Sequence, residues 1–194
     1  MRKWALVLFA LLAFASFASA DTLQLVAAPY GVNGPYTLKL NGGTSSPMIC
    51  YSDKNEITIN ETWTVQAYTI NTISTIPTGS PFAGSTFQYN LLGYLADELF
   101  QNPGNADLQN AVWAVLNTGG AQNSAYTAAY NFVSANPTYQ TSDIFYLPTG
   151  TYTAANGYPY GVPQPMVSQV PEPGSILLLG SGLLGLAWRK RYTR

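Results

Sequence analysis

The chain of 194 residues contains no histidine and a single cysteine. Without an imidazole, Ser-His-Asp and Cys-His catalysis are excluded, and most transition-metal sites with them. Charge is scarce as well: Asp, Glu, Lys and Arg make up 9% of the residues. From Asp21 to Gln169 the only bases are Lys39 and Lys54, against Asp21, Asp53, Glu56, Glu61, Asp97, Glu98, Asp107 and Asp143. Two bases against eight acids give this stretch a formal charge of −6, which the whole-chain value of −1 conceals. An acidic surface without arginine has no electrostatic footprint for nucleic acid or anionic lipid. The acids have no calcium-loop spacing. Glu56/Glu61 and Asp97/Glu98 are the candidate acid/base pairs, but their polar surroundings read as solvated faces. Asp107 reads as a first-turn partner of a helix dipole. No cofactor, metal ligand or catalytic residue is assigned, and the chain does not read as a turnover enzyme.

What is present is clearest at the two ends. Met1-Arg2-Lys3 is a basic head, Trp4 to Phe17 an apolar core, and Ala18-Ser19-Ala20 an A-x-A cleavage site. Residues 1–20 therefore read as a signal peptide, with the mature chain starting at Asp21. At the other end Pro171-Glu172-Pro173 precedes an uncharged apolar run, Ser175 to Trp188, and then Arg189-Lys190-Arg191. At ~1.5 Å per residue that run spans roughly 21 Å as a helix, short of a ~30 Å hydrocarbon core. Snorkelling basic residues or local thinning close the gap. The basic cluster is expected to stay cytoplasmic. The prolines mark an extended stretch just outside the membrane. This Pro-Glu-Pro, apolar helix and basic stop resemble the PEP-CTERM sorting signal of Gram-negative bacteria. The resemblance implies export through the inner membrane, transient single-pass tethering, and cutting by an exosortase-type protease. It also implies a final place at the cell surface or outside the cell, and says nothing of what the middle of the chain does.

Between the ends lie about 150 residues, enough for one domain with a core. Leu23 to Ala28, Tyr36 to Leu40 and Pro47 to Tyr51 read as short strands, and Ile57 to Thr75 alternates at near-period two. Pro77 to Gly84 reads as a loop. Leu91, Leu92, Leu95, Leu99 and Phe100 then form a helical stripe over Tyr89 to Gln101. Asn102-Pro103-Gly104 stops it, and Asn105 caps a second helix from Ala106 to Asn117. Gly119-Gly120 ends that helix. Ser124 to Ala135 suggests a third helix, and Thr138 to Tyr152 further strands. Residues 158–169, with three prolines, read as a linker. The expected fold is α+β: one β-rich domain over 21–157 with an inserted block of two to three helices, then the linker and the sorting segment 170–194.

Cys50 is bound for an oxidising compartment with no partner in its own chain. The plain reading is a small buried strand residue. A sharper one comes from Ile49-Cys50-Tyr51 early in the domain and Leu108-Gln109-Asn110-Ala111-Val112-Trp113 later. These residues resemble the thioester domain of bacterial surface adhesins, in which a Gln-x-Ala-Ile/Val-Trp motif pairs with an earlier cysteine. The resemblance implies an internal thioester between Cys50 and Gln109, with Trp113 and Tyr51 sheltering it. The protein would acylate an amine- or hydroxyl-bearing target once. Leu108 and Tyr51 stand where the family often has Thr and Trp. The rival reading is a passive matrix protein, its Tyr, Trp, Thr and Asn contacting extracellular polysaccharide without covalent chemistry.

Overall fold

The computed structural model describes residues 20–55, 57–149 and 163–169. The signal peptide with its Ala18 site, the sorting motif at Pro171-Glu172-Pro173, the apolar run and the basic stop lie outside the described residues. Among the described residues no helix is long and apolar enough to cross a membrane.

Six antiparallel strands close into a barrel: β1 (Asp21–Ala27), β2 (Tyr36–Leu40), β3 (Ser45–Cys50), β4 (Thr62–Tyr68), β5 (Ile144–Pro148) and β6 (Met166–Ser168). The order around the barrel is β1-β2-β3-β6-β5-β4. Three helices, α1 (Thr86–Gln101), α2 (Ala106–Ala114) and α3 (Ser124–Ala135), are inserted between β4 and β5. The architecture is α+β, a barrel carrying a helical block.

Local chemistry explains the joints. Asn41 and Gly42 both take positive φ, 52° and 68°, and the Gly43 N–H donates to the Leu40 carbonyl. That is a type I′ turn, whose twist matches the β2–β3 hairpin it closes. Ser85 and Gln88 form a reciprocal capping box, so α1 starts three residues before the sequence pattern suggests. Asn105 caps α2, as expected, by accepting from the Asp107 and Leu108 N–H groups.

Side-chain alternation divides the core in two. Leu23, Leu25, Tyr36, Leu38, Met48, Cys50, Trp63, Val65, Tyr146 and Met166 fill the barrel interior. Ile49, Tyr51, Tyr68, Phe145, Leu147 and Val167 point outward and pack with the helices. Cys50 and Tyr51 therefore face opposite clusters, as strand geometry requires of neighbours.

Three expectations are corrected. The alternating stretch from Ile57 to Thr75 is a strand only over Thr62–Tyr68. Before it, Asn60 sits at φ 73° in a turn closed by Glu61 N–H to the Thr58 carbonyl. After it, Thr72 and Thr69 exchange side-chain and backbone hydrogen bonds that start a 3₁₀ turn at Ile73–Thr75. The second helix stops at Ala114 rather than Asn117, because Asn117 turns left-handed at φ 57°. The described part of the expected linker, 163–169, is joined to the domain, while 158–162 lie outside the described residues: Pro163 to Ser168 are buried, and β6 lies between β3 and β5. A three-residue strand is too short for its period to show among prolines. Pro165 takes no ladder donor role, but its carbonyl accepts from the Tyr51 N–H. The folded unit thus reaches Ser168, two residues short of the sorting segment.

Candidate functional site

Cys50 ends β3, its side chain fully buried at one mouth of the barrel. Its thiol donates to the Ser52 carbonyl at 2.9 Å, and the Ser52 N–H approaches the sulfur at 3.4 Å. Burial pushes the thiol up to about 12, aided by the Asp53 carboxylate and opposed by Ser52 and the Trp113 indole. A thiol this far up stays protonated and is a poor nucleophile toward small reagents.

Gln109 lies in the first half of α2, whose buried face includes Gln109, Ala111, Val112 and Ala114. The Gln109 carboxamide, 0% exposed, reaches the end of β3 at Cys50. Its Nε2 donates to the Cys50 carbonyl at 2.8 Å. Its Oε1 is buried and accepts no hydrogen bond among the described residues. Reversing the amide would set oxygen against oxygen, so the Cys50 carbonyl fixes the orientation. An orphaned buried carbonyl costs about 1–3 kcal/mol.

The structure therefore brings Cys50 and Gln109 together across a sequence separation of 59 residues. Trp113, one helical turn past Gln109 and half-buried, stands close enough to the thiol to favour its ionised form. Its own indole N–H forms no hydrogen bond of good geometry among the described residues. Tyr51 is placed elsewhere. It packs edge-on against Phe82 and Phe145 in the helix-side cluster, at 6.1 and 6.4 Å between ring centres. The expected shelter from Tyr51 is corrected by the alternation of β3: its backbone, not its ring, belongs to the site.

Residues that no sequence motif marks complete the surroundings. An added Cβ on Gly34 would lie 3.0 Å from Gln109 Oε1, so the small residue leaves room for the carboxamide. Tyr36 lines the barrel beside Cys50, its phenol raised by burial and then by Cys50. Thr118 donates to the carbonyls of Tyr51 and Trp113, tying the end of β3 to the end of α2. Nothing in the local sequence marks Gly34 or Thr118 for these roles. A cleft of about 240 Å³, lined by Ser52, Lys54, Asn55, Phe82 and Thr118 among others, opens directly after Cys50 in the chain.

The carboxylates group differently from the sequence expectation. Glu61 is buried rather than solvated, and accepts the Thr58 N–H at 2.6 Å, because it closes the turn ahead of β4. Asp97 is half-buried and accepts from Gln169 at 2.9 Å. Asp143, unremarkable in the sequence, is 2% exposed, and one of its carboxylate oxygens has no partner among the described residues. Burial, and then the charge of Asp97, push its carboxyl up to about 7.

Residues 169–191 match the PEP-CTERM protein-sorting motif, which marks substrates of exosortase in Gram-negative bacteria and implies export with membrane-associated sorting. No curated protein and no solved structure matches the chain.

Proposed function

We propose that the barrel-and-helix domain is a covalent surface adhesin armed by an internal thioester between Cys50 and Gln109. The observation that carries this reading is the dry contact between them. The carboxamide is wholly buried, held by the Cys50 carbonyl, and its oxygen is left without a donor among the described residues. An amide oxygen is a strong acceptor and loses most by being orphaned. A thioester oxygen is a weaker acceptor and loses less by being orphaned there, although its formation takes the Nε2 donor away from the Cys50 carbonyl.

The step balances. Cys50 Sγ bonds to Gln109 Cδ, the Cδ–Nε2 bond breaks, and the thiol proton leaves with the nitrogen as ammonia. An incoming amine then bonds to Cδ, the Cδ–Sγ bond breaks, and a proton from the amine returns to sulfur. No histidine is needed when the amine is already nucleophilic. Exclusion of water protects the stored electrophile until a target enters. The barrel mouth supplies that exclusion: Cys50 and Gln109 are both 0% exposed. On this reading the sorting motif delivers the domain to the envelope surface, where its target is an amine- or hydroxyl-bearing polymer.

The test is the denatured mass of the exported chain before and after methylamine, beside Cys50→Ala. The expected result is a mass lower by one ammonia, then gain of one methylamine mapped to Gln109, with neither change in Cys50→Ala. An unmodified mass, no amine uptake and a thiol that iodoacetamide labels only after unfolding would make Cys50 a buried core residue and end the proposal.

A further inference from the structure

The helical block carries a second surface, separate from the barrel mouth. A groove of about 400 Å³ runs between the start of α1 and the end of α3. That volume is within the ~300–1,000 Å³ usual for small-ligand sites. Its walls are Phe87 and Tyr139, and its polar groups come from Thr86, Asn90, Ser134 and Asn136. Among the described residues no charged side chain lines it.

The rings are organised rather than scattered. Phe87 meets Tyr130 edge-on at 5.2 Å, and Tyr126 stacks beside Tyr130. On the other wall Tyr139 meets Phe132 at 5.7 Å, and Phe132 stacks on Tyr94 at 4.5 Å. Each lining ring is thus joined to a ring that faces solvent: Tyr130 is 46% and Phe132 39% exposed. Between them Asn90 is fixed in place. Its amide donates to the Tyr139 carbonyl at 2.9 Å and accepts from the Thr141 N–H at 3.1 Å. Thr86, Ser134 and Asn136 are exposed at the rim.

We propose that this groove binds a neutral glycan chain. Aromatic faces pack against the apolar C–H faces of sugar rings, and hydroxyls and amides pair with sugar hydroxyls. Charge selects against the alternatives. With no base in the lining and −6 over residues 21–169, the domain repels nucleic acid and anionic polysaccharides. The site shares no lining residue with Cys50 or Gln109. It would hold a polymer without covalent chemistry, and its existence does not depend on the thioester.

The experiment is calorimetry on the full-length chain in lipid nanodiscs, with empty discs as the blank. The probes are cellopentaose, maltopentaose, chitopentaose and xylopentaose, with a polygalacturonate oligomer as the anionic control. Measurements are made in the Cys50→Ala background, so that failure of the thioester reading leaves this test unaffected. At least one neutral oligosaccharide is expected to bind and the anionic one not. Ser134→Trp, at an exposed position where a bulky ring fills the groove without touching the core, is expected to weaken binding on the order of tenfold or more, equivalent to ~1.4 kcal/mol. Tyr130→Ala, also exposed, is expected to weaken it in the same direction. Absence of binding by all four neutral probes, equal binding of polygalacturonate, or full affinity in Ser134→Trp would each overturn the proposal.

Discussion

Replacing Gln109 by glutamate exchanges one amide nitrogen for oxygen at constant shape, and the structure fixes what that exchange costs. The side chain is 0% exposed, and among the described residues its one hydrogen bond runs from Nε2 to the Cys50 carbonyl at 2.8 Å. A carboxylate there would face that carbonyl oxygen with nothing to donate to it. The group escapes by holding its proton, which restores a donor toward Cys50. An ordinary glutamic acid ionises near pH ~4.3, so staying protonated at pH 7 spans about 2.7 pH units, or about 4 kcal/mol. The sign follows from linkage. The folded acid has the higher pKa and the unfolded chain releases the proton more readily. The variant therefore matches its parent below about pH 4 and loses stability as pH rises from there toward neutrality.

Urea denaturation at pH 4, 5.5 and 7 reads this out, with Gln109→Glu placed in a Cys50→Ala background so that no covalent bond contributes. The expected gap between variant and background is under ~1 kcal/mol at pH 4 and about 4 kcal/mol at pH 7. A gap that is small and flat across the range would mean that the carboxyl reaches water. The dry contact at the barrel mouth, and the reasoning built on it, would then be wrong.

Two further predictions concern the α1 side of the domain. A Cβ built on Gly93, in the middle of α1, would fall 2.3 Å from Thr141 Oγ1 and 2.5 Å from its Cβ. Gly93→Ala is therefore expected to destabilise by about 1–3 kcal/mol through overpacking, although helix propensity alone favours alanine by ~1 kcal/mol; a raised Tm would refute the close approach. Asp143→Asn is expected to stabilise at pH 8. Its folded carboxyl, raised to about 7 by burial and then by Asp97, costs stability that sets in above the ordinary value near 4 and is complete above 7. The variant should gain a few kcal/mol at pH 8, on the order of 1.4 kcal/mol for each tenfold loss of acidity, and nothing at pH 3.5; equal Tm values at pH 8 would show that Asp143 is solvated.

The parts of this fold legible in the sequence are those written in several residues of one period or in a cap. The leucine stripe of α1 and the Asn105 cap of α2 show themselves because 3.6-residue spacing and side-chain capping act within a few residues of one another. The leucine stripe alone places the start of α1 three residues late, because the Ser85–Gln88 box that sets it lies ahead of the stripe. Strand β6 fails for the opposite reason. Met166, Val167 and Ser168 are ordered by β3 and β5, which lie about 116 and 20 residues away in sequence, and nothing local announces them. The meeting of Cys50 with Gln109 is approachable through a motif, whereas Gly34 and Thr118 are not, since their roles exist only once α2 meets the end of β3. Tyr51 shows the limit of motif reasoning: a neighbour in sequence becomes a neighbour of the other core because a strand alternates.

The same energetics bear on how a thioester here would end. Capture of an amine leaves a secondary amide at position 109, which keeps an N–H for the Cys50 carbonyl and restores the contact seen in the structure. Hydrolysis leaves a carboxyl group, the chemical equal of Gln109→Glu, with its cost of about 4 kcal/mol at pH 7. The two outcomes differ in stability although they differ by few atoms. Domain stabilities are typically ~5–15 kcal/mol, so a hydrolysed domain would lose a large share of its margin while a conjugated one would not. A single fixed acceptor, the carbonyl at the end of β3, would thus both hold the carboxamide in place before reaction and favour the attached product over the spent one.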